Sequence, residues 1–208
     1  MSGIFITFEG PDASGKTTQI RLLEEALRRE NIEPLLTREP GGTPIGEKIR
    51  EVLLDRASAE MTPMTEMLLY AASRAQHVEQ VIRPALAEGR VVISDRFTDS
   101  SIAYQGYGRG LGELVAQVNA ATSGGLQPDL TFLLVTTPES MRSRVAAAEE
   151  DRMEAEKDDF HRTVLEGFLK LQKKEPERIV ALDGSRSIEE IAAQIQEKAL
   201  ALIRSRHE

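Results

Sequence analysis

The chain has 208 residues, 40% hydrophobic and 29% charged, which suits one domain with a full core and excludes wholesale disorder. Its 26 Lys and Arg against 34 Asp and Glu give a net charge of -8, which excludes the broad basic footprint that duplex nucleic acid demands. The absence of cysteine excludes disulfides, thiolate metal sites and cysteine nucleophiles, whereas a local basic pocket for a small phosphorylated ligand stays open.

The first predicted element is a strand, Ile4–Phe8, a continuous apolar run suited to burial on both faces. Met1-Ser2-Gly3 leads into it without the pattern of a secretory signal, and no apolar run approaches the roughly 18 residues of a membrane span. The expected address is therefore the cytoplasm. Gly10-Pro11-Asp12-Ala13-Ser14-Gly15-Lys16-Thr17 follows and opens a helix in which Ile20, Leu23 and Leu27 form an apolar stripe, widened by Leu22 and Ala26. This is the pattern G-x-x-x-x-G-K-S/T in its strand–loop–helix setting. Gly10 and Gly15 let backbone amides curl around phosphate oxygens where a Cβ would crowd them, and the helix N-terminus adds partial positive charge. Lys16 is expected to reach the β- and γ-phosphates of ATP, and the Thr17 hydroxyl to ligate Mg²⁺. Pro11, Asp12, Ala13, Ser14 and Thr18 complete the expected ATP-binding loop.

Leu35–Thr37, after Pro34, is a weaker strand candidate. Thr65–Glu88 reads as a long helix, bent at Pro84 for want of a backbone donor and stopped by Gly89. Val91–Ser94 is a buried strand ending in Asp95, so a carboxylate emerges at the sheet edge where ligands bind, suited to hold Mg²⁺ through water. Arg96 sets a cation beside it. Leu130–Val135 and Ile179–Leu182 are the remaining strands, and Ile188–Arg206, capped by Ser187, is the last helix. Arg142–Asp159 is dense in charge and poor in large apolar residues, which fits a solvated helix face or a mobile flap over a site. His77, His161 and His207 show no ligand spacing, and Asp129 reads as a cap or turn residue. The alternation of strand and helix predicts a doubly wound parallel sheet of α/β class, undivided over residues 1–208. The guanine-selecting Asn/Thr-Lys-x-Asp pattern of many GTPases is missing.

Three segments carry a family resemblance: Thr37-Arg38-Glu39-Pro40-Gly41-Gly42-Thr43, Asp95-Arg96-Phe97, and Asp99-Ser100-Ser101-Ile102-Ala103-Tyr104-Gln105-Gly106. With Leu126-Gln127-Pro128-Asp129-Leu130-Thr131 they resemble the bacterial thymidylate kinases (dTMP kinases) of the P-loop nucleoside monophosphate kinase superfamily, from Ile4 to the last helix. The resemblance implies a three-layer α/β/α fold with a five-stranded parallel sheet and a short helical lid at about 142–159. It implies phosphoryl transfer from ATP to dTMP with Mg²⁺, and a homodimer packed through helices. Glu39 and Arg50 are then expected in the dTMP pocket, with Tyr70 stacking on thymine and Arg74 bonding the base. Arg96 is expected on the acceptor phosphate, Ser101 and Gln105 at the base edge, Tyr104 against the ribose 2′ position, and Asp12 towards the acceptor sugar and phosphate.

One departure concerns the lid. Relatives without an arginine in the phosphate loop carry several in the lid, and here the loop has none while the lid offers Arg142, Arg144 and Arg152. Arg152 is expected to supply most of the transition-state charge, with Arg144 second and Arg142 at the ATP site, the adenine face being open to either Arg142 or Arg144; the bland alternative pairs Arg152 with Glu149 or Glu150. Two rivals stay open: another nucleoside monophosphate or deoxynucleoside kinase, and a P-loop ATPase switch with no acceptor.

Overall fold

The computed structural model describes residues 3–136 and 151–207. At its centre lies β1 (Ile4–Glu9), in a five-stranded parallel sheet flanked by β3 (Val91–Asp95) and β4 (Leu130–Val135). The edges are β2 (Leu35–Arg38), beside β3, and β5 (Ile179–Asp183), beside β4. Ile6 pairs with Ile93 on one side and with Leu130 on the other. Every residue of β1 is buried, as its continuous apolar run requires, whereas β2 alternates between half-buried and exposed. That half-open edge is the physical reason for its weaker sequence signal.

The helices are α1 (Lys16–Arg29), α2 (Pro44–Leu54), α3 (Pro63–His77), α4 (Arg83–Ala87), α5 (Thr98–Ser101), α6 (Leu114–Ser123), α7 (Asp158–Lys174) and α8 (Ile188–His207). They cover both faces of the sheet. Ile4, Ile6 and Phe8 pack with Leu23 and Leu27 of α1 and with Ile191 and Ile195 of α8. Phe5, turned the other way, packs with Val78, Ile82 and Phe97.

The predicted helix at 65–88 is α3 and α4 joined by a widened turn, Val78–Ile82. It begins at Pro63, because the Thr62 hydroxyl accepts from the Thr65 amide and proline suits the first turn. Its irregularity falls just before Pro84, where the Arg83 amide bonds the Val78 carbonyl. Pro84 cannot donate to the preceding turn, and the helix relaxes by widening. At α8 the Ser187 hydroxyl accepts from the Glu190 amide at 3.1 Å and the Glu190 carboxylate from the Ser187 amide at 3.0 Å, a reciprocal cap. The helix α2 gave no periodic signal, since Ile45 and Val52 face outwards at 53% and 49% exposure.

Of the stretch 142–159, residues 142–150 lie outside the described part. In the remainder Arg152 and Met153 are buried, whereas Ala155, Lys157 and Asp159 are exposed. Among the described residues, no helix is long and apolar enough to cross a membrane.

Candidate active site

The loop after β1 is shaped by backbone that favours glycine. Gly10 has φ 131, and a Cβ there would sit 2.4 Å from the Leu134 carbonyl oxygen. Gly15, at φ 97, turns the chain into α1. Lys16 folds back over the loop, its Nζ donating to the Pro11 carbonyl at 2.7 Å and the Gly10 carbonyl at 3.2 Å. Burial, with the Arg96 charge nearby, pulls the Lys16 ammonium down to about 8 against Asp95, Asp12 and Glu9. A cavity opens along Ala13, Ser14, Gly15, Lys16, Thr17 and Thr18, with Gly184 and Arg186 across from them. Thr17 is exposed there. Asp95 ends β3, and its Oδ1 is buried with no hydrogen-bond partner among the described residues.

A second cavity adjoins the loop at Asp12. Glu39, Arg50, Tyr70, Arg74, Arg96, Ser101, Tyr104 and Gln105 line it with Asp12, so every residue that the resemblance pointed to for dTMP meets in one cleft. Tyr70 and Arg74 reach it from successive turns of α3. Arg96 enters from β3 with φ 70, a left-handed backbone that a residue with a Cβ adopts at a cost. Its Nη1 donates to the Gly10 carbonyl and the Ser100 hydroxyl, both at 2.9 Å, and its Nη2 to Asp12 at 2.5 Å. The guanidinium also lies over the Tyr104 ring, 5.1 Å from its centroid. Burial alone would raise the Asp12 carboxyl, but Arg96, Lys16 and the Tyr104 hydroxyl hold it at about 2. Arg50 donates to the Pro40 carbonyl at 3.0 Å.

Arg74 has a heavier structural load than its expected base contact suggested. Its Nε bonds Glu39 at 2.8 Å, Nη1 bonds Asn119 at 2.6 Å, and Nη2 bonds the Phe97 carbonyl and the Ser101 hydroxyl at 3.0 Å. One Nη1 hydrogen of its five donors remains for a ligand. The other carboxylate oxygen of Glu39 meets His77 Nδ1 at 3.0 Å, and His77 Nε2 meets the Thr37 hydroxyl at 2.6 Å. His77 is thus a buried support for the cleft wall. Asp129 is structural, but through long-range contacts instead of a cap or turn: it accepts from the Phe5 amide at 2.8 Å, 124 positions away, and pairs with Arg206.

Two carboxylates escaped the sequence reading. Glu9, at the end of β1, accepts from the Phe97 amide at 2.8 Å and the Ser100 hydroxyl at 2.5 Å, pinning the turn that presents Arg96. Burial and the neighbouring Asp99 push its carboxyl up to about 8. An apolar strand ending in Glu, opposite one ending in Asp-Arg, was the available signal. Glu66 on α3 is buried among Gln105, Arg109 and Arg152.

Arg152, expected to supply transition-state charge, has part of its guanidinium engaged within the fold. Its Nε donates to the Leu53 carbonyl at 2.8 Å and its Nη1 to Glu66 at 2.7 Å, while its Nη2 is buried with no hydrogen-bond partner among the described residues. Glu66, a buried carboxylate on α3, takes Arg152 as one of its cations. Arg142 and Arg144 lie outside the described residues.

A phosphate-cradling loop at the end of the central strand, sharing Asp12 with an arginine-lined cleft, defines a P-loop phosphotransferase with separate donor and acceptor sites. A family model described as thymidylate kinase matches residues 8–195. A thymidylate kinase from Caldanaerobacter subterraneus is 53% identical over 189 residues, 90% of either chain, and one from Geotalea uraniireducens is 49% identical over 207 residues, 96% of this chain and 97% of that one. The crystal structure of thymidylate kinase from Ehrlichia chaffeensis superimposes with a TM-score of 0.78 at 34% identity, over 96% of this chain and 99% of that one. The chain belongs to the thymidylate kinase family, enzymes that phosphorylate dTMP.

Proposed function

We infer that this chain passes the γ-phosphoryl group of ATP to dTMP, with ATP on the loop at 10–18 and dTMP in the cleft between Asp12, Tyr70 and Arg96. The observation that carries the reading is the Asp12–Arg96 pair at the seam of the two cavities. Arg96 there reaches the loop carbonyl of Gly10 while lining the cleft, so one guanidinium can hold an acceptor phosphate in line with a donor on the loop. Lys16, now bonded to loop carbonyls, exchanges them for phosphate oxygens. Tyr70 supplies a stacking face, Arg74, Ser101 and Gln105 the polar edge for the base, Tyr104 the wall at the ribose, and Arg50 with Glu39 the flank of the phosphate.

Mg²⁺ suits the donor side. The Thr17 hydroxyl would ligate it and Asp95 would hold its water, an acceptor role that fits a carboxylate oxygen left without a protein donor. When bound, the ion neutralises phosphate charge. The same reading takes the chain as one kinase domain acting in the cytoplasm as a homodimer. Support for the dimer comes from Ile45 and Val52 of α2 and Met64 and Leu68 of α3, all between 42% and 53% exposed.

ADP release measured with dTMP, dUMP, dGMP, dCMP and AMP tests the reading. Release that depends on an acceptor and is fastest with dTMP is expected. Hydrolysis indifferent to every acceptor would replace it with an ATPase switch.

A further inference from the structure

Glu66 lies on α3 one turn before Tyr70, with 0% exposure. Its Oε1 accepts from Gln105 Nε2 at 3.0 Å and Arg109 Nε at 3.1 Å, and its Oε2 from Arg109 Nη2 at 2.9 Å and Arg152 Nη1 at 2.7 Å. Arg109 in turn pairs with Glu156 at 2.6 Å and lies over the Phe160 ring. One buried carboxylate thus joins α3, the turn around Gln105, and the segment 151–156, whose Asp151 and Met153 line the acceptor cleft. Burial alone would raise the Glu66 carboxyl, but Arg109, Gln105 and Arg152 hold it below its ordinary value and keep it ionised.

An ionised carboxylate accepts and cannot donate. Gln105 must therefore turn its NH₂ group to Glu66, because the flipped amide would set two acceptor oxygens against each other. The carbonyl oxygen is then the end that Gln105 offers to the cleft it lines. An acceptor at that point suits a pyrimidine with an N–H at ring position 3, as in thymine. It opposes one with a lone pair there, as in cytosine.

We propose that Glu66 is a positioning residue for acceptor-base choice: it fixes Gln105 with its carbonyl oxygen towards thymine N3–H and, through Arg109 and Arg152, couples that orientation to the docked segment 151–156. This rests on the dTMP reading above and adds the device that enforces it. Asp151 reinforces the segment by accepting from the Met153 and Glu154 amides at 2.8 and 2.9 Å, so the turn docks as a preformed unit.

The test measures kcat and KM for dTMP and dCMP, and KM for ATP, in the full chain. Glu66→Gln is expected to narrow the dTMP-to-dCMP ratio of kcat/KM by about tenfold or more, through a raised dTMP KM, with the ATP KM within about twofold. Gln105→Leu should narrow the ratio likewise, and adding Glu66→Gln to it should narrow it no further. A merely structural Glu66 would depress both substrates alike and add independently. Glu66→Asp keeps the charge facing Arg109 and Arg152 but withdraws it from Gln105, so it carries the same expectation if the neutral variant does not fold. The unaltered protein supplies a third arm: dTMP methylated at N3 should bind at least about tenfold more weakly than dTMP by calorimetry. An unchanged ratio in a folded Glu66 variant, or equal binding of the methylated nucleotide, overturns the proposal. Failure of the unaltered protein to prefer dTMP in the acceptor panel would instead overturn the reading beneath it.

Discussion

Arg96 and Asp12 stand 2.5 Å apart where the phosphate loop meets the acceptor cleft, and each is held from behind. The Tyr104 hydroxyl donates to the second Asp12 oxygen at 3.0 Å, while Gly10 and Ser100 anchor the other arm of Arg96. Both charges are therefore fixed before any substrate arrives, which lowers the reorganisation needed when phosphates bind.

Arg96→Lys is expected to cost about tenfold to a hundredfold in kcat/KM for dTMP, since a hydrogen bond to a charged group is worth about 1.5–3 kcal/mol. Lysine keeps the charge but cannot span Gly10, Ser100 and Asp12 at once. It meets the same backbone cost at φ 70, so the fold should persist with a melting temperature within a few degrees. Steady-state kinetics with a thermal melt checks this, and near-normal turnover in a folded variant would remove Arg96 from the acceptor site.

Glu9 makes stability depend on pH. Its carboxyl is raised to about 8 from 4.5, chiefly by burial and then by Asp99, while Ser100, Arg96 and the Phe97 amide oppose the rise. Lys16 also faces it across the loop. Between those two values the native state holds a proton that the unfolded state releases, so this contribution falls as pH rises through the window and is gone above about 8. Glu9→Gln should therefore flatten the decline in melting temperature from pH 6 to pH 8.5. An unchanged slope would show that Glu9 is already ionised at pH 6.

The strands of the sheet and the phosphate loop were legible because their signals are local: apolar runs for strands buried on both faces, and glycines where only glycine fits. Glu39, Arg96 and Gln105 lie in the segments that carry the family resemblance, and Arg50, Tyr70 and Arg74 followed from it by position, since the cleft draws on separate elements that no spacing rule joins. What escaped is the set of supports behind them. Glu9, Glu66 and His77 look like ordinary polar residues in sequence, and their partners are 91, 39 and 38 positions away. The Arg152–Glu66 pair was equally hidden, because its members lie 86 positions apart in the chain.

The outward apolar residues on α2 and α3 lead to a test of assembly. Leu68 is 50% exposed and Val52 49%, so a charge at either place costs the monomer little. Buried at the centre of a homodimer, the same charge would be uncompensated and should raise the dimer dissociation constant by about a hundredfold or more. Sedimentation is expected to find the unaltered protein dimeric and Leu68→Glu monomeric at the same concentration. Unchanged sedimentation would move the interface to another face.

Arg152 now carries an expectation different from that of a lid arginine. Its side chain is 8% exposed, its Nε serves the Leu53 carbonyl and its Nη1 serves Glu66, its Nη2 has no partner among the described residues, and its backbone amide bonds the Leu54 carbonyl at 3.2 Å. Removing the side chain leaves Leu53 without its donor and Glu66 with Arg109 as its remaining cation. Breaking a buried pair by deleting one partner costs about 3–5 kcal/mol, and the retained Arg109 contact places this case at the lower end. Arg152→Ala should thus lower the melting temperature by several degrees, loosen the segment that bears Asp151 and Met153, and raise the dTMP KM, while kcat at saturation falls less than about tenfold. Arg152→Lys, which can keep the Glu66 contact but not both, should fall between the two. The opposite pattern, a hundredfold loss of kcat with melting temperature and both KM values unchanged, would mean that Arg152 leaves Glu66 during turnover and meets the transferring phosphoryl group after all.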